Sequence, residues 1–448
     1  MSCRPQLIRS RLRHALGVLV SLAGLVACSD GTTGPVQPFG SADALASISR
    51  GALVLHVDSR AAPDGDGSGR APFATLGEAV AQANQEGGGT IIVAPGQYEV
   101  SRTVRIESPL TITGSNVMTL DAEGWPTGAV APETETRIIA TEQLGGGPLI
   151  MVSRTDGSVL TDVTIANVTL EGAAGPGSNL LIVKTQNFTV RDNVFTGPSF
   201  AGINTAASSG RVVGNYVTGV GCGICVGAGN SESPSTTAVK GNRVAGTRFG
   251  ALLLNGSGTD VAEFADQNDV AVMGNDLSDN QGSTGTGFGI RVFIIRRDLG
   301  SLNSTQSTGH VRALIKGNRL VHNQIGFIID AGFPYRRVGT VCDPRTYSGT
   351  IDVTLNENTI AGSTVTPSLI TFTRVTAALN QSTLSAWQYV HDATYTITDP
   401  DGTLTGYWFD HPVRDEFVGP CSATQLPVVL SNHLAYNGTE ISNGRIIP

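Results

Sequence analysis

The stretch Arg211–Asn230, RVVGNYVTGVGCGICVGAGN, sets an asparagine among β-branched residues and follows it with a CxxC. Two readings compete for it: a redox motif, or one turn of a repeat. The rest of the chain decides between them. VRDNVFTG, VVGNYVTG, VKGNRVAG, VMGNDLSD, IKGNRLVH and LNENTIAG share one frame, with an apolar residue three before an asparagine and another two after it. These asparagines are Asn193, Asn215, Asn242, Asn275, Asn318 and Asn358, and TIANVTLEG at Asn167 fits more loosely. Successive separations are 26, 22, 27, 33, 43 and 40 residues, so the unit has a floor near 22 and lengthens by insertion. That pattern is the sequence signature of a solenoid.

A length of 448 residues would suggest about three domains, but a repeat lets one stacked core run through the chain. Charged residues make up 15% of the sequence, against about 25% in an average globular protein, and there are 56 glycines. This composition implies many turns and few solvated helix faces. A net charge of −8 argues against a nucleic-acid partner, which requires a basic stripe. Residues 1–27 read as a signal segment: Arg4, Arg9, Arg11 and Arg13 precede an apolar run from Ala15 to Val26, too short to span a membrane. Leu25-Val26-Ala27-Cys28 resembles the bacterial lipobox, which implies a lipid anchor on Cys28, and Ser29 after it favours the outer membrane of the cell envelope.

Residues 28–50, polar and rich in Gly and Pro at the start, read as a tether. Structure begins with ALVLHVDS. In PFATLGEAVAQANQEGGG, Thr75 and Glu78 form a capping box, Leu76, Ala79, Val80 and Ala83 share a face, and a triple glycine ends the helix. IIVAPGQYEV follows as a broken strand. This order resembles the opening of right-handed parallel β-helix proteins of the pectin-lyase-like superfamily, in which the helix caps the first coil. The resemblance implies an all-β fold: a single-stranded right-handed parallel β-helix over residues 51–375 with an N-terminal capping helix. Residues 376–448 form a C-terminal β-rich extension, in which ATYTITDPDGTLTGYWFDHP reads as a hairpin.

A second strand recurs between asparagines, as in LLIVKT, GICVGA, ALLLNG, GIRVFII and GFIIDAG. Asparagine suits the intervening bend because it tolerates the left-handed region and can bond its counterpart one coil away. All seven, Asn167 included, are expected to form a structural ladder. Cys222 then falls at a bend and Cys225 in a strand, without the helix N-terminus that activates a redox thiol. Bridging them would need a turn between them. Cys342 and Cys421, in loop-like stretches, are the favoured disulfide among the possible pairings.

Insertions fall between Asn242 and Asn358, where loops of consecutive coils would wall a groove suited to an extended polysaccharide. The superfamily includes lyases, hydrolases, epimerases and noncatalytic surface proteins, so the fold alone does not choose an activity. The groove cations are Arg291, Arg296, Arg297, Arg336 and Arg337, with Asp330 on the following coil. Arg291 and Asp330, two and four residues after equivalent glycines, share one side of a sheet and are the catalytic candidates. The acidic stretch Glu263, Asp266, Asp269, Asp276 and Asp279 offers oxygen ligands for calcium, the one cofactor in view. YWFDHP resembles the Trp-Ile-Asp-His segment of pectate lyases but stands outside a recognisable coil. Three functions stay open: a lipid-anchored protein binding a polysaccharide, a calcium-assisted lyase with an arginine base, and a noncatalytic adhesive spacer.

Overall fold

The computed structural model describes residues 53–229, 235–256, 266–282, 287–294, 306–331, 345–372, 389–404, 406–410, 429–430, 433–440 and 446–447. Successive coils contribute strands to three sheets, in which strands along the solenoid pair in parallel with their counterparts one coil away. Among the described residues, sheet 1 holds 15 strands from Val54–Val57 onward, sheet 2 holds 6 and sheet 3 holds 11. The fold is a right-handed parallel β-helix.

Alternation along the strands creates the lumen. In sheet 1 the inward column runs Ile165, Val190, Val212, Val239, Val272, Ile315 in unbroken register. In sheet 3 it runs Leu180, Ile203, Ile224, Leu252, Ile290, Phe327. Every member of both columns is at most 1% exposed. Burial of each such side chain stabilises the fold by roughly 1.5–3 kcal/mol, so stacking one coil on the next drives the architecture.

Helix α1 (Leu76–Gln85) closes the N-terminal end. Its capping box is formed, with the Glu78 N–H donating to Thr75 Oγ1 at 3.2 Å and the Thr75 N–H to Glu78 Oε2 at 3.1 Å. Leu76, Ala79, Val80 and Ala83 are its buried face. The Asn84 side chain fastens the helix to the first coil, donating to Arg105 O at 2.9 Å and accepting from the Glu107 N–H at 3.0 Å.

The corner from sheet 1 to sheet 2 is built the same way in coil after coil. A residue in the left-handed region (Asp192, Gly214, Gly241, Gly274, Gly317 or Glu357) precedes an asparagine. The Asn242 Oδ1 accepts from the N–H and Nδ2 of Asn215, both at 2.9 Å. Asn242 donates in turn to Asn275 Oδ1 at 2.9 and 3.0 Å, and through Nδ2 to Val212 O at 2.9 Å. The same bonds link Asn193 to Asn215, Asn275 to Asn318 and Asn318 to Asn358. Asn167 stands one residue out of this column: it takes the left-handed place, φ 55°, and Val168 offers its N–H to Asn193 Oδ1 at 3.1 Å.

Two expectations are corrected. The segment around Asp399-Pro400-Asp401-Gly402 is not a hairpin. Its flanking strands belong to different sheets: Tyr389–Thr398 pairs in parallel with Arg345–Asn356, and Gly406–Asp410 in parallel with Thr366–Phe372. Coils therefore continue past residue 375. Asp399, directly after strand Tyr389–Thr398 and fully buried, accepts from the N–H groups of Thr403 (3.0 Å) and Leu404 (2.8 Å) and from the Tyr436 hydroxyl (2.8 Å). Burial, then that carboxylate, push the Tyr436 phenol up.

The second correction concerns the cysteines. Cys222 and Cys225 are bridged within strand Cys222–Gly227, their Cα atoms 6.6 Å apart, well short of the roughly 10 Å that three extended residues would span. The segment is bent between them. Cys342 and Cys421 lie outside the described residues. Among the described residues no helix is long and apolar enough to cross a membrane.

Candidate functional site

The outward side chains of sheet 3 form the candidate site. From Leu181 the outward column runs Asn204, Cys225, Leu253, Arg291, Ile328 in continuous register. Outward positions of a solenoid are ordinarily wet. Here Ile328 and Phe293, outward by register, are only 6% and 8% exposed. A buried apolar cluster of Phe288, Ile325 and Ile328 with Leu253 is separate from the lumen core. Leu253 also joins it to a second cluster of Ala201, Cys222, Cys225 and Phe200.

Arg291 is the charged member of this column between Leu181 and Ile328. It is half-buried, and its guanidinium carbon sits 5.1 Å from the centroid of the Phe293 ring, a favourable cation–π placement. Asp330 pairs with Phe293 while Arg291 pairs with Ile328. The two candidates are therefore on adjacent strands and one face, offset by two residues, with backbones roughly 8 Å apart by strand geometry. A low-dielectric, apolar surround strengthens whatever charge–charge contact Arg291 makes with a ligand.

The acidic stretch does not assemble with them. Asp266 and Asp269 belong to sheet 1, where Asp269 lies 3.8 Å from exposed Arg312. Asp276 faces out of sheet 2, its side chain 2% exposed, between Arg243 (3.3 Å) and Arg319 (3.0 Å). Asp279 sits at the corner from sheet 2 to sheet 3, 3.3 Å from His322 Nδ1. No group of three His, Cys, Asp or Glu among the described residues is placed to hold a metal. Glu263, Arg296, Arg297, Arg336, Arg337 and Cys28 lie outside the described residues. Trp408 and Asp410 stand on strand Gly406–Asp410 of sheet 3, so that segment belongs to a coil after all.

Sequence reasoning missed two devices. A second amide column holds the corner into sheet 3: Thr247 donates through Oγ1 to Asn280 Oδ1 at 2.7 Å, and Asn280 through Nδ2 to Asn323 Oδ1 at 3.1 Å. Its signal was a polar residue five places after Asn242, Asn275 and Asn318. The other is a strap over sheet 2. The antiparallel pair Met118–Leu120 and Pro126–Val130 reaches coils far ahead, with Asp121 paired to Arg243 at 2.8 Å. Gly128, φ 76°, rests against the Tyr216 ring, where a Cβ would come within 2.3 Å of Cδ1.

No protein-family model and no curated protein matches the chain. Solved structures align with it at low identity. The A-module of the mannuronan C-5 epimerase AlgE6 of Azotobacter vinelandii aligns at TM-score 0.40 and 13% identity, over 83% of this chain and 95% of that one. A rhamnogalacturonan lyase aligns at TM-score 0.38 and 11% identity, over 83% and 87%. The endo-xylogalacturonan hydrolase of Aspergillus tubingensis aligns at TM-score 0.38 and 10% identity, over 88% and 99%. At these identities and scores no family, activity or ligand is carried across, and the right-handed parallel β-helix rests on this chain's own strand order and register.

Proposed function

We propose that the protein is a polysaccharide-processing component of the bacterial cell envelope, cleaving an extended uronate polymer by β-elimination over the outer face of sheet 3. The observation that supports this is Arg291, a half-buried guanidinium and the one charge in its outward column between Leu181 and Ile328, with Asp330 on the next strand. Elimination needs the uronate carboxylate neutralised, so that the proton on the adjoining carbon becomes acidic. The described acidic residues lie on three separate surfaces, so the reading assigns neutralisation to Arg291 rather than to calcium. An arginine stays protonated in proteins, and the proton therefore goes to Asp330. The electron pair left on C5 forms the C4–C5 double bond, the C4–O4 bond breaks, and the departing O4 takes up a proton.

The test is absorbance of the unsaturated product when the chain is incubated with polygalacturonate and with alginate. The wild type gives a rise on at least one polymer, and Arg291→Lys lowers kcat about 100-fold or more, the scale of losing a positioned charge stabiliser. No rise on any polyuronate, or an unimpaired Arg291→Lys enzyme, overturns the reading. Lipid attachment at Cys28 and residence at the outer membrane belong to the same proposal, supported by Leu25-Val26-Ala27-Cys28. A Cys28→Ala chain that still fractionates with membranes would count against them.

A further inference from the structure

The outer face of sheet 1 carries a charge pattern that lumen packing does not require. One outward column runs Arg191, Val213, Lys240, Met273, Lys316 in unbroken register, so cation and apolar side chain alternate over five coils. Same-column cations are thus two rungs apart, about 9.6 Å, at the rung spacing of parallel coils. In the neighbouring column Arg211 pairs with Ala238 and supplies a cation on the coil where the first column has Val213. Arg211 and Lys240 are exposed, and among the described residues neither has an ion pair or a side-chain hydrogen bond. Three carboxylates nearby are already engaged at the margins, Asp192 with Arg191 at 2.7 Å, Glu357 with Lys316 at 3.6 Å and Asp269 with Arg312 at 3.8 Å, and Asp352 follows Arg312 in register. Such exposed pairs hold weakly, so an incoming carboxylate can compete for the cations.

We infer that this face is a docking track for an anionic polysaccharide, remote from sheet 3 and parallel to the solenoid axis. Two features select that partner. The track is cationic on a chain of net charge −8, so it stands out locally as a surface that attracts a polyanion. Between the cations lie half-buried Val213 and Met273 and, at 42% exposure, Leu314, which match the C–H faces of pyranose rings. Neither column contains an aromatic residue, the platform on which single-stranded nucleic acid stacks. An acidic sugar chain presents carboxylates and apolar ring faces in alternation, as the track does in complement. The inference shares its ligand class with the reading of sheet 3 but does not need turnover.

The test is retention of the full chain by immobilised polygalacturonate. Parallel arms carry a neutral glucan, vesicles of phosphatidylglycerol in phosphatidylcholine, and duplex DNA. The wild type binds polygalacturonate, the binding weakens as salt is raised, and the neutral glucan does not bind. Arg211→Glu/Lys240→Glu loses at least tenfold in affinity with an unchanged melting temperature, because both side chains are exposed. Unchanged affinity in the double variant overturns the inference, as does tighter binding to DNA or to vesicles than to polygalacturonate. A chain that binds through these residues yet cleaves nothing sinks the elimination reading alone; one that cleaves while the double variant binds normally sinks this inference alone.

Discussion

The outer faces of sheets 1 and 3 come from the same strand alternation and differ in almost everything else. On sheet 3 an outward apolar cluster is covered, with Ile328 at 6% exposure and Phe293 beside it at 8%. On sheet 1 cations alternate with apolar side chains and stand more open, with Leu314 at 42% exposure and Arg312 at 72% for its side chain. A solenoid needs only its inward columns to fold. The outward columns are therefore free to diverge, and under the two proposals their divergence is a division of labour: a sheltered face where one charge is strengthened, and a wet face where several charges would meet a polymer in solution.

That contrast can be broken by substitution. Ile328→Asp places a carboxylate in the buried outer cluster and should cost about 4 kcal/mol, the scale of an unpaired buried charge or of a lost core side chain. Denaturant unfolding measures it. A cost under about 1 kcal/mol would mean that the face is not sheltered. Asn242→Ala should cost about 3 kcal/mol, since it strands the Asn215 N–H in a dry corner and removes the Asn242 amide bonds to Val212 O and Asn275 Oδ1. Its loss would show that the corner, rather than either face, holds consecutive coils in register. Leu314→Asp, at a matching outward position of sheet 1, should change stability by no more than about 0.5 kcal/mol. A large loss there would erase the difference between the faces.

How much of this was legible in the sequence follows from what repeats. The six asparagines recur because each bonds the next, so the chemistry of one coil constrains its neighbour and leaves a periodic trace. Asn167 read as a member because it has the same neighbours by composition, but the left-handed place, one residue earlier, accepts asparagine for a different reason. The second column mixes Thr247 with Asn280 and Asn323, and a mixed column has no single letter to find. The frame disappeared after Asn358 because no asparagine bonds to it from the next coil, where buried Asp399 organises the turn through the N–H groups of Thr403 and Leu404, although the strands on either side continue the coils. Arg291 and Asp330 were legible as sharing a face, since parity along a strand is fixed by the pleat. Their apolar surround was not, since it depends on which residues of four coils fall in register. The sequence also grouped Asp269, Asp276 and Asp279 by proximity along the chain, whereas the corners send them to different surfaces.

The division of labour is tested most directly by measuring cleavage of uronate chains of increasing length with Arg291→Lys and with Arg211→Glu/Lys240→Glu. The account predicts that Arg291→Lys loses kcat at every length. The double variant should keep kcat and raise KM only for chains long enough to lie on both faces. If both variants lower kcat alike at all lengths, or if the double variant is impaired on short chains as much as on long ones, the two faces do not work separately and the account fails.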